Sequence, residues 1–162
     1  MCCGRSGTGW ARRWEPTRND YAYCIIDCPP DIDMATVNAL AAADWVIIPV
    51  DCDEWAMDGM DEIREQVNAI RDAYNPQLEV MGVLATKYTR GKYSVDTINE
   101  IANMDLPAFR NPDNSILRID YSVKVKEAKA RHLPVHKVCR NIKTSAQYKA
   151  LAQLVKKCVE GE

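Results

Sequence analysis

The order of segments in this 162-residue chain predicts an α/β fold, a parallel sheet with flanking helices. Three observations carry that reading. Strand-like and helix-like segments alternate from Tyr21 onward, the order of parallel strands joined by crossover helices. Residues 45–50 (WVIIPV) and 79–86 (EVMGVLAT) are apolar on both faces, as strands buried from two sides are. The segments between them repeat apolar residues at helical spacing.

Taken in order, residues 1–14 are rich in Gly, Arg and Trp and show neither period. They read as a flexible leader, and 15–162 as one α/β domain. Residues 23–27 (YCIID) form an apolar run ending in Asp27, expected as the first strand. Cys28-Pro29-Pro30 stops it, because proline offers no N–H and restricts the residue before it. Residues 33–43 place Met34, Val37, Leu40 and Ala41 at helical spacing, with Asp33 positioned to cap. The strand 45–50 follows, then a helix over 58–74 with Met60, Ile63, Val67, Ile70 and Tyr74 on its apolar stripe. Asn75-Pro76 ends that helix and 79–86 is the next strand. A short helix is expected over 95–104, a fourth strand over 106–109, and helices over 121–131 and 145–158. Parallel α/β sheets bind ligands beyond the carboxyl ends of their strands, and those loops begin here at Asp27, Asp51 and Thr86.

Composition narrows the function classes. With 47% hydrophobic and 27% charged residues, the chain has the makeup of a globular domain rather than a disordered one. Its most apolar stretch, 39–50, is broken by Asp44 and too short to span a bilayer. The first residues lack the apolar core of a signal peptide, and Cys2 stands where myristoylation requires Gly. A cytoplasmic protein with reduced thiols is expected. The seven cysteines form no CxxC pair, and His132 and His136 complete no zinc pattern.

A net charge of −2 hides an asymmetry. Residues 118–157 hold eleven bases (Arg118, Lys124, Lys126, Lys129, Arg131, Lys137, Arg140, Lys143, Lys149, Lys156 and Lys157) against Asp120 and Glu127, a local charge of +9. Such a stripe is the electrostatic footprint of sequence-independent phosphate contact; a solvated helix face is the plainer alternative. Arg90 and Lys92 extend the patch. The acids Asp51, Asp53, Glu54, Asp58, Asp61, Glu62 and Glu65 open a helix, where the helix dipole favours them.

An apolar strand ending in Asp is also the Walker B arrangement, which presents a hard oxygen to Mg²⁺ beside a nucleotide's phosphates. Residues 20–50, DYAYCIIDCPPDIDMATVNALAAADWVIIPV, closely resemble the ParA/MinD family of deviant-Walker P-loop ATPases, and its Soj-like ParA branch most of all. That branch shows "YDYIIIDCPP", "TxNAL" and "AADxVIIPV" in succession. Residues 74–90 (YNPQLEVMGVLATKYTR) are similar to its "LNPxLxxxGVLxTxYDxR". Residues 127–138 (EAKARHLPVHKV), followed by SAQYKALAQLV, resemble "EAxxxGxPV … AxxYxxLAxE". The resemblance covers about residues 15–157.

The resemblance implies a P-loop-NTPase-like sheet and a set of roles. Asp27 would order water on Mg²⁺, and Cys28, Pro29 and Pro30 would form the turn that senses the γ-phosphate of ATP. Asn38 has two readings, a hydrogen bond across a nucleotide-dependent homodimer or support of that turn. Thr86 and Lys87 would approach the adenine, although Thr89 replaces the acid of "TxYD". The basic residues Arg90, Lys92, Arg118, Lys124, Lys126, Lys129, Arg131, Arg140 and Lys143 would meet DNA non-specifically, on the nucleoid, with a ParB-type protein as the other partner.

The departure is equally informative. Family members carry a Walker A loop, KGGxGKT, whose amides and lysines cradle the phosphates. Residues 1–162 contain no such motif; Gly4-Arg5-Ser6-Gly7-Thr8-Gly9 lacks the Lys-Ser/Thr pair. The expectation is therefore a C-terminal portion, incomplete on its N-terminal side, with no intact catalytic residues. Its function is that of a partition ATPase fragment or of a non-catalytic DNA- or partner-binding remnant.

Overall fold

The computed structural model describes residues 20–29, 33–55 and 59–161; the expected leader, Pro30 and Asp58 lie outside them. In chain order the elements are α1 (Met34–Ala42), β1 (Trp45–Asp51), α2 (Met60–Ala73), β2 (Glu79–Tyr88) and α3 (Lys92–Asn103). Then come β3 (Arg118–Asp120), α4 (Val123–Ala130), α5 (Val135–Val138) and α6 (Lys143–Glu160). The sheet runs β1-β2-β3. β2 and β3 are parallel, with Ala85 opposite Arg118 and Tyr88 opposite Asp120. Glu79 N donates to Asp44 O (3.0 Å) and Cys52 N to Thr86 O (2.8 Å), so β1 runs parallel to β2 as well.

Pro49 lies inside β1 without breaking it. Backbone groups of a parallel strand alternate between its two sides, and the Cys52 N–H points to β2. Residues 48 and 50 therefore also face β2 and Pro49 faces away. Its missing N–H removes no bond to β2, which is where a strand tolerates proline.

The chain divides into two compact units, Met1–Val46 with Gly59–Val80, and Ile47–Asp58 with Met81–Glu162. In the first unit, Asp33 caps α1: its Oδ1 accepts from Ala35 N (2.9 Å) and Thr36 N (3.0 Å). Ala39, Leu40, Ala41 and Ala42 are buried, as are Met60, Val67 and Ile70 of α2. Asn75 does more than end α2. Its side chain is buried and its Nδ2 donates to Leu40 O (3.0 Å) and Ala43 O (2.6 Å), satisfying carbonyls at the end of α1.

In the second unit, Val83, Ala85, Ile101, Leu117 and Ile119 form the inner core. A Cβ built on Gly82 would lie 3.1 Å from two carbons of the buried Phe109 ring. Glycine is needed there because the aromatic ring lies directly on the strand backbone.

Two sequence expectations change. Residues 23–27 are not a strand: residues 22–29 have no regular secondary structure, and Ile25 is 86% exposed. An apolar run becomes a strand only where a neighbour takes up its backbone groups and a layer covers its side chains. The strand expected over 106–109 shrinks to one parallel bridge, Val83 to Ala108. The third strand is instead β3, three residues long and too short to show a period. The helices hold, with α1, α2, α3, α4 and α6 on the expected segments and α5 added.

Candidate functional site

The first unit carries the Asp27 turn. Asp27 and Pro29 are exposed and Pro30 lies outside the described residues. The half-buried Cys28 thiol is pushed up by burial first, then by the carboxylates of Asp27 and Asp33. Two acids thus act on one short turn. Among the described residues no three His, Cys, Asp or Glu side chains converge to hold a metal. A single carboxylate beside water suits Mg²⁺, which keeps most of its waters and takes one or two carboxylates. Asn38, half-buried on α1, donates its Nδ2 to Met34 O (2.7 Å), one turn back on the same helix.

The second unit carries the carboxyl ends of β1 and β2. Thr86 Oγ1 donates to Asp51 Oδ1 (2.6 Å), and the Lys87 ammonium pairs with Asp51 Oδ2. Lys87 has φ +52°, a left-handed backbone unusual for a side-chain-bearing residue. Burial pushes the Asp51 carboxyl up, but the hydrogen bonds from Lys87 and Thr86 and the Lys87 charge outweigh it, so the net shift is downward. The bond to Asp51 raises Lys87 in turn. Thr86 and Lys87 are therefore together, but their polar groups face Asp51. Beside them the buried Cys52 thiol is pushed up to about 11 by burial and then by the Asp51 charge.

The basic segment is also in this unit. Arg90, Lys92, Lys124, Lys126, Lys129, Arg131, Arg140 and Lys143 are exposed and Arg118 is half-buried. They are not equivalent. Lys124 pairs with Glu127 at 2.8 Å, and Lys126 lies 5.5 Å from the centre of the Tyr121 ring. Arg118 and Lys143 converge on Asp120, with Lys143 Nζ 2.6 Å from Oδ2 and Arg118 Nε 3.7 Å from Oδ1. Gln147 completes the cluster: its Nε2 donates to Asp120 Oδ1 (2.9 Å) and its Oε1 accepts from Asp120 N (3.0 Å). Burial pushes Asp120 up, but the Lys143 and Gln147 hydrogen bonds and the two cations bring it below the ordinary carboxylate range. Lys129, Arg131 and Arg140 have no carboxylate partner among the described residues and keep their charge free for solvent.

Sequence reasoning placed Asp51 at the start of a loop beyond a strand and in an acidic run, and counted Asp120 only as an acid within the basic segment; it gave neither a partner. Each is the last residue of a strand, the same signal that singled out Asp27. Tyr88 and Gln147, which fix Arg118 and Asp120, carried no local signal, because their partners lie 30 and 27 positions away.

A family model described as an AAA domain matches residues 8–80. The chromosome partitioning protein ParA of Caulobacter vibrioides is 34% identical over 115 residues, 71% of this chain and 42% of that protein. The sporulation initiation inhibitor protein Soj of Bacillus subtilis is 36% identical over 91 residues, 56% of this chain and 36% of that protein. The crystal structure of cobyrinic acid a,c-diamide synthase from Mycobacterium smegmatis, with bound ATP analog and magnesium, superposes with a TM-score of 0.74 at 26% identity. That superposition covers 98% of this chain and 58% of the other. The chain thus spans between about a third and three fifths of the length of these proteins. With the DCPP, NAL, AAD and IIPV segments in succession along the sequence and IIPV on β1 of a parallel sheet, the chain belongs to the ParA/MinD family of P-loop NTPases.

Proposed function

We propose that this chain is the C-terminal portion of a ParA-type partition ATPase, and that its own contribution is contact with DNA phosphates. The observation that carries this is the exposed, incompletely paired base of α4 and the turn after it. Lys126, Lys129 and Arg131 face solvent without carboxylate partners among the described residues, and Lys124 stands beside them. Relatives named for chromosome partitioning support the reading. Charge held at a surface and free of acids is what neutralises phosphates and releases their counterions.

In the assembled ATPase, Asp27 would hold Mg²⁺ through water, and Pro29 and Pro30 would keep its turn stiff. MgATP would supply the phosphoryl group and the charge neutralisation around it. Thr86 and Lys87 would line the base side of the nucleotide site, which requires Lys87 to leave Asp51. A homodimer and a ParB-type partner complete this reading.

The test is a salt titration of binding to a random-sequence duplex. The affinity should fall steeply with salt, and joint replacement of Lys124, Lys126, Lys129 and Arg131 by Gln should flatten the slope by about one unit per lost contact. Binding that ignores salt, or survives the fourfold change, overturns the proposal. The alternative reading is a non-catalytic DNA- or partner-binding remnant. Mg²⁺-dependent turnover abolished in Asp27→Ala would rule it out.

A further inference from the structure

We propose that the pocket between β3 and the start of α6 is an oxyanion site taking a single phosphate group, with Arg118 as its principal donor. The pocket encloses about 200 Å³ and is lined by Asn111, Ser115, Ile116, Arg118, Lys143 and Gln147, among others. That is the space of roughly seven waters, at about 30 Å³ each. It suits one phosphate with part of its hydration shell and falls short of the roughly 300 Å³ where pockets for larger ligands begin.

Arg118 is pre-positioned. Its guanidinium carbon lies over the Tyr88 ring, 3.9 Å from the ring centre, and Asp120 stands on the Nε side. That pairing is 3.7 Å long, beyond hydrogen-bond reach. No acceptor among the described residues takes any N–H of this guanidinium. A guanidinium held over a ring with its fork unoccupied matches the paired oxygens of a phosphate and loses little freedom on binding one. Lys143 spends one bond on Asp120 and keeps two further N–H groups. It is also the first residue of α6, whose N-terminus has no side-chain cap. Unmet N–H groups and the helix dipole there add to the attraction.

Asp120 lies behind the two cations. Its carboxylate is taken up by Lys143 and Gln147. The cluster therefore carries +1, which suits a small anion rather than a polyanion held at this point alone. Arg118 and Lys143 also belong to the bases expected to meet DNA, but the site needs only these two, whereas the DNA reading needs a surface of many bases. The phosphate could come from a free small molecule or from a DNA backbone, and both present the same group.

The test uses ¹⁵N-labelled protein titrated with inorganic phosphate at constant ionic strength, with chloride as the control anion. Saturable shifts centred on the Arg118 Nε–H resonance are expected. Arg118→Gln should weaken the affinity at least tenfold, Arg118→Lys several-fold through loss of the fork, and Arg64→Gln on α2 should leave it unchanged. Equal shifts with chloride, or full affinity in a folded Arg118→Gln, overturn the site. If Arg118→Gln does not fold, Lys143→Gln decides, with a several-fold loss expected and an unchanged affinity overturning the proposal. A duplex added to the phosphate-saturated protein then identifies the source. Displacement of phosphate assigns the site to the DNA backbone, and joint occupancy assigns it to a free phosphate. Phosphate binding in a chain that does not bind DNA would refute the DNA reading and leave this site standing.

Discussion

His132 shows how one side chain departs from its family's pattern at a measurable cost. α4 ends in a Schellman motif: His132 N donates to Lys129 O (3.1 Å) and Leu133 N to Ala128 O (3.0 Å). The motif needs a left-handed residue, and His132 supplies it at φ +52°. The similar family segment, EAxxxGxPV, has Gly in this place, where no Cβ resists that backbone. His132→Gly should therefore stabilise the chain by about 0.5–1 kcal/mol, measured by urea denaturation. Asp120 gives the opposite case. Removing its charge in Asp120→Asn breaks the pairing with Lys143 and Arg118 and should cost about 1–2 kcal/mol at pH 7. Because the folded carboxyl sits below its ordinary range, this stabilisation is full above about pH 4 and is lost as pH falls through the folded value. The gap between the two proteins should close in acid; a gap unchanged at pH 2.5 would show that Asp120 acts only as a packed side chain. Cys52, with its thiol pushed up to about 11 and buried, should resist alkylation at pH 8 while the exposed Cys158 reacts, as peptide mapping by mass spectrometry would show.

At the scale of elements, α1 is held at both ends by side chains. Asp33 serves its first turn and Asn75 its last carbonyls. Asp33→Ala should cost about 1 kcal/mol, as loss of an N-cap does. Asn75→Ala leaves buried carbonyls without their donor and should cost more, about 1–3 kcal/mol, read from the same denaturation curves. The cap at Asp33 was legible because capping is local chemistry, two or three residues long. The role of Asn75 was not, since Asn75-Pro76 reads equally well as a plain helix stop and its partners are 35 and 32 positions away. The helices were legible for the same reason as the cap: their period is written in neighbouring residues. Strands depend on what lies beside them. Residues 23–27 have a strand's composition and no place in the described sheet, while Arg118–Asp120 has no visible pattern and does have one.

At the scale of the whole molecule, family and fold class follow from segments that are continuous in the chain. The DCPP, NAL, AAD and IIPV runs each carry their own pattern, and their succession points to the ParA/MinD fold before any contact is known. Charge bias is equally visible, because counting needs no geometry. A titration with a fluorescent ATP analogue and Mg²⁺ is expected to show no Asp27-dependent binding by residues 1–162. Saturable binding lost in Asp27→Ala would mean that a nucleotide site exists without a KGGxGKT motif. What counting could not reveal is which bases are free. Arg118 and Lys143 read as members of one stripe with Lys129 and Arg131, yet packing turns the first two onto Asp120 and leaves the others in solvent. Local pattern carries fold class, helices and net charge because these depend on neighbours along the chain. The pairing of charges, the strand that exists and the strand that does not are decided by residues far apart in sequence, and only the folded backbone brings those together.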